Sequence, residues 1–186
     1  MMINDIAKDS EERMKKSLHS LEVAFNRIRT GRAHPSVLDS VKVNYYGAEM
    51  PLQQVANVVV EDARTIMISP WEKKMLQEIE KAIMKSNLGF NPSNNGDVIR
   101  IPMPALTEQT RREYTKQAKA EAEHARVAVR NIRRDANNHI KDLLKDKKVS
   151  EDDARRAEQN MQKMTDNYIA VIDKKYAEKE ADLMAM

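Results

Sequence analysis

Cysteine is absent from this sequence, which excludes disulfides, thiolate metal sites and cysteine nucleophiles and is compatible with a reducing compartment. Glycine is scarce. Gly31, Gly47, Gly89 and Gly96 stand isolated, so no glycine-rich phosphate loop can form and nucleotide hydrolysis by this chain is not expected. Aromatic residues make up 4% of the composition, with one tryptophan. No stretch approaches the ~20 apolar residues needed to cross a bilayer, and Met1-Met-Ile-Asn-Asp-Ile6 lacks a basic start followed by an apolar run. We therefore expect a cytoplasmic protein with no membrane partner.

Catalytic chemistry is equally hard to find. His19, His34, His124 and His139 are scattered, and none lies four residues from another, so helical metal-ligand pairing is missing and no metal site is expected. Glu151-Asp-Asp153 reads as a helix start and Glu61-Asp62 as a turn, not as acid-base pairs. Trp71 and Tyr45-Tyr46 have faces that can stack on bases, but packing within a small domain or turn is the expectation for them. These absences point away from an enzyme and imply no cofactor.

What the chain does have is 41% hydrophobic and 33% charged residues, a balance that suits helical bundles with aliphatic seams. The periodicity divides it into three blocks. Ile3, Ala7, Met14, Leu18, Leu21, Phe25 and Ile28 recur mainly at steps of three and four, predicting an amphipathic helix that ends at Thr30-Gly31 with Arg27 and Arg29 in its last turn. Residues 32–105 hold all six prolines and read as strands: Val41 to Tyr45, Gln54 to Val60, Thr65 to Ile68, and Val98 to Ile101 after the turn dipeptide Asn95-Gly96. One helix interrupts them. It begins near Ser69-Pro70-Trp71, buries Met75, Ile79, Ala82 and Ile83, and stops at Leu88-Gly89.

After Pro102-Met-Pro104 the helical period resumes, with Thr107 as N-cap and a seam of Ala118, Ala122, Ala125, Val129, Ile132, Ala136, Ile140 and Leu143. Ser150 caps a last helix with the seam Ala154, Ala157, Met161, Met164, Tyr168 and Val171. The short connection at residues 146–150 favours an antiparallel hairpin within one chain over an intermolecular coiled coil. The fold class that follows is α+β: a long antiparallel three-helix bundle carrying an inserted small domain. The chain passes between them at Gly31 to Pro35 and Pro102 to Leu106, two strands that make a hinge or a proline-stiffened corner.

The charge is unevenly spread. Residues 106–147 hold eleven Lys and Arg against seven Asp and Glu, while the last block is net acidic. From Ala125 to Arg134 there are four arginines and no acid, and Arg126, Arg130 and Arg133 fall at i, i+4 and i+7, with Asn137 and Lys141 continuing that face. The usual i, i+4 acidic compensation, as between Glu108 and Arg112, is missing from this ridge. Arginine's planar fork suits phosphate. On the charge pattern alone, an anion-binding ridge and a solvated helix face both stay open.

Arg27-Ile-Arg29-Thr-Gly-Arg32-Ala33, Tyr45-Tyr46-Gly47, Asp97-Val-Ile-Arg-Ile-Pro102, Leu106-Thr-Glu108, Val129-Arg130-Asn-Ile-Arg133-Arg134-Asp135 and Ser150-Glu-Asp-Asp153, with the tail Glu180-Ala-Asp-Leu-Met184, together resemble the bacterial ribosome recycling factor family, in order and over essentially the whole chain. The resemblance implies a three-helix domain I formed by residues 1–30 and 106–186 and a β/α/β domain II at 31–105. It also implies an L-shaped outline similar to tRNA. A factor of this kind binds post-termination ribosomes across the A and P regions of the large subunit. With elongation factor G and GTP, the nucleotide being the partner's, it splits them into subunits, releasing mRNA and tRNA.

Carried over residue by residue, the resemblance assigns large-subunit rRNA contacts to Arg29, Arg32, Arg130 and Arg133, with Arg133 foremost. Arg126 and Arg134 match as auxiliary phosphate contacts, or Arg134 pairs with Asp135 or another acid. Hinge roles fall to Gly31, Arg32, Ala33, Pro104 and Ala105. A monomer is implied. The composition alone also leaves a self-associating coiled-coil scaffold or a general RNA-binding module as alternatives.

Overall fold

The computed structural model describes residues 1–185. Four α-helices and six strands follow one another as α1 (Ile3–Arg27), β1 (Lys42–Tyr45), β2 (Ala48–Pro51), β3 (Ala56–Asp62), β4 (Thr65–Pro70), α2 (Leu76–Lys85), β5 (Ser93–Asn94), β6 (Ile99–Pro102), α3 (Glu108–Lys145) and α4 (Glu151–Met184), with single 3-10 turns at Pro35–Leu38, Leu52–Gln54 and Lys73–Met75. The protein is α+β, with long helices and a small β-containing domain. Two compact units divide it: Met1–Ile28 with Arg112–Ala181, and Arg29–Arg111 with Asp182–Met186.

The first unit is built from α1 and most of α3 and α4. Thr107 Oγ1 accepts the Thr110 N–H at 3.0 Å and Ser150 Oγ accepts the Asp153 N–H at 3.0 Å, so both expected caps satisfy an otherwise orphan donor at their helix starts. Between them the chain reverses tightly. Lys147 adopts φ 56°, its N–H reaches the Leu144 carbonyl at 3.0 Å, and the Lys148 N–H reaches the Leu143 carbonyl at 2.9 Å, the paired bonds of a Schellman stop with lysine where glycine is usual. Cross-helix pairs fix the directions: Arg126 meets Asp173 and Arg133 meets Gln162, so α3 and α4 are antiparallel, and Arg13 meets Asp135 on the far side.

The α3 seam is buried at all eight expected positions. In α4 the expectation holds for Ala154, Ala157 and Met161 and then fails. Thr165 and Ile172 are buried, Met164 and Tyr168 only half-buried, and Val171 is 39% exposed. The physical reason is the helical period. The expected seam advances by heptads, which drift by about 20° each on a straight α-helix, whereas 18 residues make five full turns and bring Ile172 back over Ala154. Thr165 tolerates its position because its hydroxyl donates to the Met161 carbonyl at 2.8 Å. In α1 the buried face likewise includes Ile6 and Ser10 beside Met14, Leu21 and Phe25. That helix ends at Arg27, with Ile28 extended, so Arg29 lies beyond its last turn and Gly31 does not terminate it.

The second unit pairs a hairpin, β1–β2, with a four-stranded antiparallel sheet in the order β3-β4-β6-β5, and α2 packs over a core that includes Val43, Ile66, Ile68, Ile79, Ile83 and Ile101. Alternation along β4 and β6 puts Ile66, Ile68, Ile99 and Ile101 on one buried face. The hairpin β1–β2 turns on Tyr46 and Gly47, both at positive φ (50° and 90°), the two-residue geometry whose twist suits the flanking strands. Strand β2 has little signal in the sequence, since Ala48-Glu-Met-Pro51 is only four residues long, has no β-branched or aromatic residue and ends in proline. Helix α2 starts later than expected, because Ser69 and Pro70 are held in β4 opposite Asn57 and Ala56, and it ends at Lys85 before Asn87 turns to φ 57°.

Candidate nucleic-acid interface

Of the six arginines expected to bind RNA, four share α3 in the first unit, while Arg29 and Arg32 belong to the second. The four on α3 differ sharply in how they are held. Arg126 is only 18% exposed: its Nε donates to Asp173 Oδ1 at 2.7 Å across to α4, and its Nη1 to Glu123 Oε2 at 3.0 Å on its own helix. Burial works against its charge, but the hydrogen bonds it donates to Asp173 and then Glu123 outweigh it and push its pKa up. Arg130 approaches the other Glu123 oxygen at 3.6 Å and is exposed. One carboxylate is thus shared by two arginines.

Arg133 has a different partner. Its Nη1 donates to Gln162 Oε1 at 3.0 Å, a neutral acceptor, and the Gln162 amide Nε2 donates onward to Asp166 Oδ1 at 2.9 Å, one turn along α4. Arg134 is exposed and, among the described residues, pairs with no acid; Asp135 is taken by Arg13 at 3.0 Å. The ridge expected to lack compensation is therefore compensated at its Arg126 end and open at its Arg133 end. Neither Asp173 nor Gln162 stands out in the sequence by residue type. Counting outward equally from Lys148 in the hairpin turn brings Arg133 opposite Gln162 to within a residue, so the register carries that signal.

In the second unit Arg29 is partly buried, its Nη1 donating to the Leu88 carbonyl at 2.8 Å and its guanidinium lying 5.3 Å from the Phe90 ring centroid. Arg32 Nη1 reaches Asp182 Oδ1 at 3.1 Å. The residues expected at the hinge, Gly31, Arg32, Ala33, Pro104 and Ala105, flank two backbone bonds to one turn: Ala33 N–H to the Ala63 carbonyl and Met103 N–H to the Arg64 carbonyl, each 2.7 Å. Asp62 braces that turn by accepting the Arg64 N–H at 2.9 Å. The expectation of domain or turn packing holds for Tyr45, which packs partly buried against the core, and for Tyr46, whose ring meets that of Tyr45 at the turn with 4.7 Å between centroids; it is corrected for Trp71. Trp71 is 65% exposed and Tyr46 71% exposed, while the Tyr45 and Tyr46 hydroxyls both donate to Glu72, at 2.9 and 2.7 Å. Among the described residues no three His, Asp or Glu side chains gather as a metal site, and no helix is long and apolar enough to cross a membrane.

A family profile described as ribosome recycling factor matches residues 21–184. The chain belongs to the ribosome recycling factor family. Curated ribosome-recycling factors extend the likeness over full length: one from a Marinomonas species is 65% identical over 98% of this chain and 99% of its own, and one from Hahella chejuensis is 62% identical over 100% of both. A third, from Saccharophagus degradans, is 61% identical over 98% of this chain and 99% of its own. A solution structure of a ribosome recycling factor superposes with a TM-score of 0.78 at 37% identity, covering 100% of each chain. A second, the Thermus thermophilus factor described with Escherichia coli elongation factor G on a post-termination complex, gives a TM-score of 0.70 at 43% identity, again covering 100% of each. The family's role, ribosome recycling in translation, is thereby that of this chain.

Proposed function

We propose that this chain binds post-termination ribosomes across the A and P regions of the large subunit and, with elongation factor G and GTP, splits them into subunits, releasing mRNA and tRNA. The observation that carries the reading is the full-length likeness to ribosome-recycling factors, one of them described together with elongation factor G on a post-termination complex. Arg133 and Arg130 are the principal rRNA contacts, and Arg134 and Arg126 auxiliary ones. Arg29 and Arg32 contribute from the second unit through the donors not used by Leu88 and Asp182. Such contacts go mainly to phosphate and sugar, so they give position and salt sensitivity without reading base identity.

The chain acts as a cytoplasmic monomer and performs no chemistry of its own; GTP belongs to its partner. Its moving joint lies at residues 31–35 and 102–106, dividing 1–30 and 106–186 from 31–105. Support for this comes from residues 31–34 and 103–107, which lie between the regular elements and include the exposed Arg32, His34, Pro104 and Ala105 beside the anchored amides of Ala33 and Met103.

The test is subunit splitting of post-termination ribosomes, followed by light scattering with elongation factor G and GTP, for the intact protein and Arg133→Ala. Splitting by the intact protein and its loss in the variant is the expected result. Failure of the intact protein to bind ribosomes at all would sink the reading.

A further inference from the structure

Two chemically distinct settings exist within one arginine face. Arg126 is bonded to two carboxylates, whereas Arg133, two turns away, is bonded to a neutral amide whose own NH2 is committed to Asp166. The Asp166 bond decides which way the Gln162 amide faces. A carboxylate accepts only, so Nε2 must point to Asp166 and Oε1 to Arg133. We propose that Gln162 is a positioning residue for Arg133: it fixes the guanidinium without discharging it, with Asp166 as the group that orients Gln162. The inference rests on the reading of Arg133 as an rRNA phosphate contact.

The physical case turns on what each alternative partner would do. An acid at position 162 would sit against Arg133 as Asp173 sits against Arg126, and a phosphate would then have to compete with it and be repelled by it. An alanine there would leave Arg133 to sample its rotamers freely, and binding would have to order a long side chain. The amide avoids both costs. It takes one of the five N–H donors of the guanidinium, keeps the full positive charge, and leaves the remaining fork for an anion. Asp166, the nearest acid in this relay, is held one amide away from Arg133.

The test is a double-mutant cycle read by equilibrium binding of the full chain to ribosomes at several salt concentrations, with Gln162→Ala, Arg133→Ala and the double variant, plus Gln162→Glu. Gln162→Ala should weaken binding about three- to fivefold, in line with an exposed charge-assisted contact, and should have no further effect in the Arg133→Ala background. Gln162→Glu should weaken it at least as much as Arg133→Ala and flatten the salt dependence by about 0.7 to 0.9 in log–log slope, one phosphate contact's worth. Position 162 is exposed, so none of these changes should alter thermal stability appreciably. Equal losses from Gln162→Ala in both backgrounds would show a merely structural role and overturn the proposal. So would Gln162→Glu binding like the unchanged protein while Arg133→Ala is weakened. If Arg133→Ala itself binds normally, the assignment of Arg133 as a contact fails and the proposal falls with it.

Discussion

Arg126 Nε and Asp173 Oδ1 meet at 2.7 Å between α3 and α4, closer than the cross-helix pairs Arg13–Asp135 and Glu22–Lys175 at 3.0 Å each, with the arginine largely buried and the acid half exposed. This arginine serves the bundle first and any RNA second. Asp173→Asn should lower bundle stability by about 1 kcal/mol, a melting shift of roughly 2 to 4 °C for a chain of this size, because a partly solvated pair contributes modestly. It should leave ribosome affinity intact or slightly raised, since Arg126 is released toward an anion. Circular dichroism melts and ribosome binding on the same variant check this; a large loss of affinity at unchanged stability would mean that Asp173 supports the interface in another way.

The proposed joint is bordered by two anchored amides. Ala33 and Met103 donate to Ala63 and Arg64, and both residues are buried, while Arg32 and Ala105 beside them are exposed. Hydrogen exchange should therefore be slow at the amides of Ala33 and Met103 and fast at Arg32 and Ala105, placing the flexible residues outside the anchored pair. Uniform fast exchange across 31–35 and 102–106 would remove the anchor from the account. Asp62→Ala, which takes the brace from the accepting turn, should speed exchange at both anchored amides together.

Glu72 binds two tyrosine hydroxyls at once, and all three groups respond. Hydrogen bonding first to Tyr46 and then to Tyr45 holds the Glu72 carboxyl below its ordinary range, and the same bonds to Glu72 raise both tyrosines. A depressed acid contributes stability above its unfolded pKa of about 4.3 and loses it as pH falls through the lower folded value; raised phenols contribute below about 10 and lose it as pH rises through their higher folded values. The clamp is therefore complete between those limits. In a spectrophotometric titration, Tyr45 and Tyr46 should ionise above the ordinary tyrosine range, and Glu72→Gln should return them toward about 10. Unchanged titration in that variant would break the assignment.

Much of the architecture is legible in the order of the residues, and the failures have physical causes. Caps at Thr107 and Ser150 and the whole α3 seam can be read there because they depend on local hydrogen bonding and helical period. Strand β2 cannot, because its pairing with β1 is set by the Tyr46-Gly47 turn and not by alternation of its own residues. The arginine face is visible as a charge pattern, and Glu123, three residues before Arg126, is a local sign of its neutralised end, but the rest of its division into a neutralised end and an open end depends on Asp173 and Gln162, residues far along the chain that only the hairpin register brings opposite. Trp71 misleads through composition: a lone tryptophan suggests a core, and here it faces solvent.

The α4 register gives the sharpest stability test. If the 18-residue repeat governs the seam, Ile172 carries packing energy and its neighbour Val171 does not, although a heptad reading assigns them the reverse. Ile172→Ala should destabilise the bundle by about 2 to 5 kcal/mol through lost burial and the cavity left behind, while Val171→Ala, at a position 39% exposed, should cost far less, about 0.5 kcal/mol. Alanine favours helix over valine, which offsets part of whatever packing the latter change removes. Chemical denaturation of the two variants decides between the registers, because comparable losses at both positions would require α4 to supercoil and present both side chains to the seam.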